Sequence, residues 1–367
     1  MSLLLTIFAA VLGAVVGSFL NACIHRMPLG LSLTEPRRSF CPSCKKTIPW
    51  YENLPLLSWL ALRGRCSTCG EGIAFRYFLV ELLTGVLFWW IWESYGFPLA
   101  LPYWVFISLL VTATFIDLEH FIIPDEITWG GVILGVGLSI ALPEMMETSS
   151  RFIAVGLSLG GAVFGFGLLF LVVEAGKWAF GKIKHRFPDG EGFEWLRDGD
   201  QAEILLGSEK LIWMDIFSRE KDVLTIELDG PVNVDGRQVS ASKLVFHYNQ
   251  ADLAGETLDL DSLERITGRM RSIVIPREAM GFGDVKFIAC IGAFLGWEAV
   301  LFTLFSASVI GSLAGIAGMF LAKDRAGTRI PFGPFLALGG GIWIFGGRLL
   351  AEWYLSILPN FRFFFEF

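Results

Sequence analysis

The sequence predicts an all-α, polytopic membrane protein of about eight transmembrane helices, with a cytoplasmic four-cysteine zinc loop and a small β-rich soluble insert. Three observations lead to this fold class. Hydrophobic residues make up 54% of the 367 positions and charged residues only 18%, a composition far from that of soluble globular proteins. About half of the charged residues lie in one stretch, 177–280. Four of the six cysteines form two Cys-x-x-Cys pairs.

Apolar stretches define the helical part of the fold. A helix needs about 17–25 apolar residues to cross a bilayer, and eight stretches reach or approach that length. They lie near residues 3–23, 78–92, 101–115, 129–142, 153–173, 285–295, 299–321 and 332–347. The first stretch has no basic segment before its apolar core and is followed by Arg26. We therefore expect a retained first helix rather than a cleaved signal peptide.

Positive charge in the short loops predicts the orientation. Loop 24–77 holds eight Lys and Arg residues, whereas the short loops predicted on the opposite side hold at most one each. Because Lys and Arg are retained in cytoplasmic loops, we expect loop 24–77 to be cytoplasmic. Residues 116–128, 176–284 and 322–331 then return to the cytoplasm, and Met1 lies outside.

Cysteine spacing predicts a metal site in the first loop. Cys41-Pro-Ser-Cys44 and Cys66-Ser-Thr-Cys69 supply four thiols from two short turns, a spacing typical of zinc sites. The predicted cytoplasmic location is reducing, which disfavours disulfides. We expect a structural Zn²⁺ that folds a loop too small to form its own core.

The charged stretch 176–280 predicts a soluble insert. Residues 177–280 hold 14 Lys and Arg and 19 Asp and Glu, a net charge of −5. Residues 223–228 and 243–248 have the composition of strands bounded by turn sequences, and the apolar spacing in 259–270 predicts a short helix. We expect a β-rich domain that serves as a cytosolic spacer or docking module, with a ligand-binding or regulatory role as the alternative.

Two acidic residues lie where apolar stretches meet polar loops. Asp117 ends one stretch, and Asp284 begins another within Gly281-Phe-Gly283-Asp284. Carboxyl groups are costly to keep in or near hydrocarbon, so their presence favours a function. Two adjacent carboxyls can serve as general acid and general base in peptide hydrolysis. Gly281 and Gly283 would let a substrate backbone approach Asp284, or they are simply packing residues.

Other polar residues near these positions allow local interpretations. Asp125 follows Ile-Ile-Pro and is expected to cap a helix rather than to act in catalysis. Lys286 is expected either to neutralise Asp284 or to extend to the membrane interface.

Several segments jointly resemble the bacterial type IV prepilin peptidases, a family of Gly-x-Gly-Asp membrane aspartyl proteases that also N-methylate their product. The resemblance covers most of the chain outside the insert. It is carried by Gly17-Ser-Phe-Leu-Asn21 with Ile24-His-Arg-Met-Pro28, the paired Cys-x-x-Cys loop with Phe75–Gly85, residues 117–128, Gly281–Lys286 and Pro331–Gly339.

The resemblance implies a function for the acidic pair. Asp117 and Asp284 would cut the basic leader from type IV prepilins and pseudopilins after a Gly, at the cytoplasmic face of the bacterial inner membrane. A methyl group would then pass from S-adenosylmethionine to the new N-terminal amine. No glycine-rich Rossmann fingerprint is present to hold this cofactor. Asn21, Arg76 and Glu81 are the expected cofactor surroundings, although a structural hydrogen bond accounts equally well for Glu81.

This interpretation divides the chain into five parts. They are the first transmembrane helix (1–23), the zinc loop of the methyltransferase-type region (24–77), helices 2–5 with the first catalytic Asp (78–175), the insert (176–280), and helices 6–8 with the Gly-x-Gly-Asp motif and the second catalytic Asp (281–367).

Prepilins, pseudopilins and membrane lipid are the expected partners, with pilus or secretion machinery as a further partner of the insert, and no nucleic acid. One alternative is a membrane scaffold of a pilus or secretion system that docks its partners through the zinc loop and insert. A zinc-loop methyltransferase with a vestigial Asp pair is the other.

Overall fold

The structure is a computed structural model that describes residues 3–35, 39–41, 43–180, 182–198, 201–207, 209–217, 222–276, 281–321 and 330–357. Two compact units are present: Met1–Phe170 with Gly281–Phe367, and Leu171–Met280. The predicted location of Met1 and most of the predicted loop 322–331 lie outside the described residues.

Helices make up the first unit and the connection into the second. The α-helices in chain order are α1 (Leu3–Arg26), α2 (Leu57–Ala61), α3 (Phe75–Tyr95), α4 (Ala100–His120), α5 (Asp125–Ala141), α6 (Arg151–Phe180), α7 (Trp213–Ile216), α8 (Phe282–Leu321), α9 (Gly333–Ile342) and α10 (Arg348–Ile357). A π-helical segment, Trp343–Gly347, joins α9 to α10. Short 3₁₀ helices span Met27–Leu29, Trp50–Glu52, Pro143–Met146 and Leu260–Ser262.

Six helical stretches of the described chain are long and apolar enough to cross a membrane. They are Leu3–Leu29, Phe75–Tyr95, Ala100–His120, Arg151–Trp178, Phe282–Gly318 and Gly333–Tyr354. A mostly helical, multi-pass fold is thus confirmed, whereas the predicted count of eight spans is not. The predicted stretch 129–142 falls in α5, which has 17 residues and lies at the lower limit for a span.

Helix α8 contains two of the predicted stretches and is interrupted between them. Gly296 has φ 81° and ψ 178°, which is not helical. A methyl group on Gly292 would lie 3.0 Å from Val300 Cγ2, although residues eight positions apart in a straight helix are separated by about 12 Å. The chain therefore folds back on itself at Gly296, and the two halves of α8 lie side by side.

Glycines allow the helices of the first unit to approach closely. A methyl group on Gly131 of α5 would lie 2.3 Å from Cys290 Sγ on α8. One on Gly161 of α6 would lie 2.3 Å from the Gly292 carbonyl oxygen. Such contacts between small residues are how transmembrane helices pack without a hydrophobic driving force between them.

The second unit is built on one antiparallel sheet. Its described strands are β1 (Lys182–Asp198), β2 (Gln201–Leu206), β3 (Glu209–Ile212), β4 (Leu224–Leu228), β5 (Val232–Val234), β6 (Arg237–Val239), β7 (Lys243–Phe246), β8 (Gln250–Leu253), β9 (Glu256–Asp259) and β10 (Arg265–Pro276). The strand order is β3-β2-β1-β10-β4-β7-β8-β9, and β5 pairs with both β10 and β6. The first residue of β1, Lys182, pairs with the last residue of β10, Pro276.

The predicted β-rich insert is confirmed, but the helix predicted at 259–270 is wrong. Residues 260–262 form one 3₁₀ turn and residues from 265 belong to β10. Leu260, Ile266 and Met270 are buried in the core with Trp195 and Phe246. Their spacing comes from a turn followed by a strand. The prediction failed because a few apolar residues three or four positions apart do not distinguish a helix from a bent strand.

Candidate active site

Asp117 lies in the last turn of α4, and its side chain is buried, with the residue 5% exposed. The helix ends at His120, and Phe121 adopts a left-handed conformation with φ 56°. The Phe121 N–H donates to the Asp117 carbonyl oxygen at 2.9 Å. This end of α4 fixes the backbone of Asp117 and directs the chain toward α5.

Asp284 is the third residue of α8 and is 8% exposed. Its N–H donates to the Gly281 carbonyl oxygen at 3.2 Å. Gly283, which precedes Asp284, and Gly333, which contacts Asp117, both lie next to Ile123. Two distant parts of the chain thus bring two buried carboxyl groups toward one place, where they can act as an acid–base pair.

Gly333, the first residue of α9, contacts Asp117 directly. Its N–H donates to Asp117 Oδ2 at 3.0 Å. A methyl group at Gly333 would lie 2.5 Å from Asp117 Oδ2 and 2.9 Å from Ile123 Cδ1. Sequence reasoning assigned no role to Gly333, although it lies in the motif 331–339 that carries part of the family resemblance.

The two glycines of the Gly-x-Gly-Asp motif have more room. A methyl group on Gly281 would meet nothing closer than Asp284 Oδ2 at 3.7 Å, and one on Gly283 would lie 3.4 Å from Ile123 Cβ. Gly283 does not have a positive φ. Tight packing does not by itself require glycine at either position, and approach of a substrate backbone remains a prediction.

Lys286 and Asp125 form an ion pair beside the acidic site. Lys286 Nζ lies 2.5 Å from Asp125 Oδ1, with side chains 17% and 62% exposed. Lys286 Nζ also lies 5.2 Å from the centroid of the Phe282 ring. The structure thus gives Lys286 a partner other than Asp284. Asp125 is the first residue of α5, and the N-cap is Pro124.

Asn21 and Glu81 link α1, α3 and the cysteine loop. Asn21 is 2% exposed, and its Nδ2 donates to the Tyr77 carbonyl oxygen at 3.0 Å. Glu81 Oε2 accepts the Leu56 N–H at 2.7 Å. This bond favours the structural interpretation of Glu81, because it holds the cysteine loop to α3.

Arg76 connects the start of α3 to the end of α4. Its guanidinium pairs with Glu119, two residues after Asp117. Arg76 Nε and Asn21 Oδ1 are buried atoms without a hydrogen-bond partner in the described part of the chain. Buried polar atoms are normally satisfied, so these two atoms are exceptions, and a cofactor role for Asn21 and Arg76 stays a prediction.

The four cysteines of the first loop converge on one point. Their sulfur atoms all lie within 4.8 Å of one another, and Cys41 Sγ lies 3.8 Å from Cys69 Sγ. Four thiolates around a tetrahedral Zn²⁺ are about 3.8 Å apart. None of the four forms a disulfide. The cluster therefore has the spacing and chemistry of a four-thiolate metal site.

Backbone hydrogen bonds prepare one of these thiols as a ligand. N–H groups of Cys69 and Thr68 donate to the Cys66 sulfur and lower the pKa of this thiol to about 6. The thiolate is the form that binds a metal ion. A short bridge between Arg65 and Gly72 closes this turn, and a second bridge, Phe40 to Thr47, closes the other.

An apolar groove of about 800 Å³ lies in the first unit between α3, α4, α9 and α10. One end includes Phe115, two residues before Asp117, and Pro334, next to Gly333. Farther along, the groove is lined by residues such as Leu338 and Phe345. An apolar polypeptide segment could therefore extend from the acidic site along this groove.

Comparison with protein families matches two separate models. Residues 11–95 match the bacterial peptidase A24 N-terminal domain. Residues 104–186 and 258–316 match the type IV leader peptidase family. The second match is interrupted between 186 and 258, within the insert.

Curated relatives match most of the chain. The prepilin leader peptidase/N-methyltransferase of Myxococcus xanthus is 34% identical over 327 residues, which are 89% of this chain and 66% of the relative. The proteins of the same name from Aeromonas hydrophila and Pseudomonas aeruginosa are 28% and 26% identical, over 90% and 91% of their lengths. No solved structure matches the chain. From the family matches and these relatives, the chain belongs to the type IV leader peptidase family.

Proposed function

We propose that this protein is a membrane aspartic endopeptidase that removes the leader of type IV prepilins and pseudopilins and N-methylates the new N-terminal residue. The observation that carries the proposal is the convergence of Asp117 and Asp284, both buried at helix ends, in a chain that belongs to the leader peptidase family. Relatives bearing the name prepilin leader peptidase/N-methyltransferase support both activities.

The proposed cleavage uses the two carboxyls in complementary roles. One carboxylate takes a proton from water as the water oxygen attacks the carbonyl carbon of the scissile peptide. The other carboxyl gives its proton to the carbonyl oxygen, and collapse of the intermediate delivers a proton to the leaving amine. Gly333 holds the Asp117 side chain in place through its N–H, so that the pair is oriented before substrate binds.

We further propose eight membrane passes with the acidic pair on the cytoplasmic side of the bacterial inner membrane. The reversal at Gly296 supports two passes within α8. A locally thinned bilayer would accommodate α5, because the bilayer can thin around a helix that is shorter than its hydrocarbon core. The basic loop 24–77 supports a cytoplasmic location for the start of α3 and the end of α4.

Methyl transfer is proposed to occur near the junction of α1, α3 and the cysteine loop. S-adenosylmethionine would supply an electrophilic methyl group to the amine that cleavage exposes. Arg76 Nε is a buried donor suited to a carboxylate, and Asn21 Oδ1 is a buried acceptor suited to an ammonium group. Glu81 contributes by holding the loop, through Leu56, against α3.

The four cysteines are proposed to bind one structural Zn²⁺. Four thiolates close the coordination sphere and leave no position for a substrate. The insert is proposed to dock pilus or secretion components, and it contains neither residue of the acidic pair.

The test is intact-mass and N-terminal analysis of a co-expressed prepilin with the wild-type enzyme and with Asp117→Asn and Asp284→Asn. We expect leader loss and a methyl-sized gain with the wild type, and no cleavage with either variant. Glu144→Gln, an exposed acid in the 143–146 turn, is the control and should process normally. Full processing by both Asp variants would instead support the scaffold alternative.

A further inference from the structure

The ion pair between Lys286 and Asp125 joins the two segments that carry the carboxyl groups. Lys286 lies two residues after Asp284 on α8, and Asp125 opens α5 at the end of the turn that follows Asp117. Neither residue has a place in the cleavage mechanism above. The Lys286 side chain is 17% exposed and the Asp125 side chain 62% exposed, so the ammonium is shielded from water although the carboxylate is not.

We propose that Asp125 and Lys286 act as a positioning clamp that holds the first turn of α8 against the α4–α5 turn and thereby sets the geometry between Asp284 and Asp117. This inference rests on the proposed function, because it concerns the same acidic pair. Asp125 and Lys286 act through the backbone and do not touch the substrate.

Helix geometry shows why Lys286 acts indirectly. Residues two positions apart on a helix point about 200° apart around its axis, and such pairs do not face each other. Lys286 therefore projects away from the side of α8 that presents Asp284. Its ammonium lies 2.5 Å from Asp125 Oδ1, whereas the Asp284 side chain is buried.

The first turn of α8 is held largely by apolar packing, with Val285 fully buried. Deeper in the bundle, α5 and α8 are held by the close contact of Gly131 with Cys290. Near Asp284, the turn contains Gly281 and Gly283, and the atoms nearest to a methyl group on Gly283 would belong to Ile123, at ordinary van der Waals distance. The ion pair adds a polar contact to this apolar packing, and Phe282 supports it from beneath the Lys286 ammonium.

If Asp125 instead bound the substrate, substitutions would change kcat and KM in a different pattern from the one that a clamp predicts. An exposed carboxylate that binds a basic leader would act without Lys286 and would share that role with Glu126, which is adjacent and exposed. A clamp requires both members of the pair and does not involve Glu126. Glu126→Gln is therefore the matched control for Asp125→Asn.

The test measures kcat and KM of prepilin cleavage by purified full-length enzyme, with thermal unfolding measured in parallel. The variants are Asp125→Asn, Lys286→Met, their double mutant, the charge-exchanged pair Asp125→Lys with Lys286→Asp, and Glu126→Gln. Each single variant should lower kcat by about 10- to 100-fold, since displacement of about 1 Å can cost 100-fold. KM should stay within about twofold.

Coupling between the two positions provides the second readout. The double mutant should be no slower than the slower single variant, because residues in contact are not additive. The charge-exchanged pair should recover part of kcat, and Glu126→Gln should match the wild type. Methylation of an already cleaved pilin should remain at the wild-type rate in every variant.

Three outcomes would overturn the clamp. Unchanged kcat in both single variants would show that the ion pair does not position the carboxyls. A rise in KM for Asp125→Asn and Glu126→Gln, with Lys286→Met unaffected, would assign Asp125 to substrate binding. Additive losses in the double mutant would show independent roles. An inactive wild type would instead contradict the proposed function itself.

Discussion

The hydrogen bond from Gly333 to Asp117 places a glycine where a side chain would displace a carboxyl group. We expect Gly333→Ala to lower kcat for prepilin cleavage by at least about 10-fold, because its methyl group would lie 2.5 Å from Asp117 Oδ2 and small displacements at a catalytic group are costly. Steady-state cleavage of a purified prepilin measures the effect.

The control for this substitution is Gly137→Ala on α5, where a methyl group would meet nothing within 4 Å. It should cleave at the wild-type rate and, as a helical Gly→Ala change, unfold at an equal or higher temperature. Wild-type kcat in Gly333→Ala would show that Asp117 tolerates the shift.

At this scale, sequence reasoning located the two carboxyls but not the groups around them. Asp117 and Asp284 could be predicted from the sequence because each is an acid at the edge of an apolar stretch, which is unusual enough to be informative. The residues that contact Lys286 and Asp117 could not be predicted. Lys286 pairs with Asp125 and Gly333 with Asp117, and contacts between residues so far apart in sequence leave no local pattern.

Among the elements, the cysteine loop makes a prediction about metal content. Purified enzyme should contain about one Zn²⁺ per chain, as expected for a closed four-thiolate site. Cys41→Ser should lower that content and destabilise the loop, since Cys41 is 5% exposed and metal binding is coupled to folding in small loops. Elemental analysis and thermal unfolding measure the two effects.

Cys290→Ser on α8 is the matched control, because Cys290 is buried away from the cluster and has no predicted metal role. Its zinc content should equal that of the wild type. Equal zinc in Cys41→Ser would contradict the four-thiolate site, and retained methyl transfer in that variant would separate the zinc loop from methylation.

The apolar groove makes a prediction about substrate affinity. If the apolar part of a prepilin lies along α9, Leu338→Trp should raise KM by about 10-fold by filling the groove, with little change in kcat, as expected for lost uniform binding. Leu338 lines the groove and is 51% exposed, so the larger ring has space to enter it.

Leu313→Trp on α8 is the control, because Leu313 is also exposed and does not line the groove. Its KM should be unchanged. An equal rise in KM for both variants would indicate a general effect of the added tryptophan on the membrane helices, and would exclude the groove as the substrate path.

Helix existence was easier to predict than helix ends or strand detail. Long apolar stretches revealed α1, α4 and α6, because hydrocarbon thickness imposes a minimum length. The pattern placed a break between 285–295 and 299–321, where Gly296 interrupts α8. It failed at 259–270, because burial in that segment is set by pairing of β10 with neighbouring strands.

For the whole molecule, the structure predicts that the insert can be removed. Lys182 and Pro276 are paired neighbours on β1 and β10, so a short Gly/Ser linker can replace residues 182–276 without spanning a long distance. Intact-mass analysis of a prepilin should show cleavage and methylation by the shortened enzyme, because no proposed catalytic or cofactor residue lies in the insert.

A full-length variant with Trp195→Ala, which removes a 1% exposed core side chain, separates loss of the insert from its misfolding. Loss of cleavage in the shortened enzyme, with cleavage retained in Trp195→Ala, would show that the insert has a role that does not depend on its intact core. The overall division into helical and β-rich parts was predictable from the charge distribution together with the strand-like composition of 223–228 and 243–248. The strand order was not, because composition carries no information on pairing.

The contact of Gly161 with Gly292 has a consequence for the continuity of the chain. Asp117 precedes the insert and Asp284 follows it, yet α6 and α8 touch within the helical unit. A single break in the polypeptide within the insert would therefore leave two membrane-embedded fragments with complementary surfaces. We therefore expect two half-proteins, each contributing one carboxyl group, to associate in the membrane through these helix contacts even when the covalent link between them is cut.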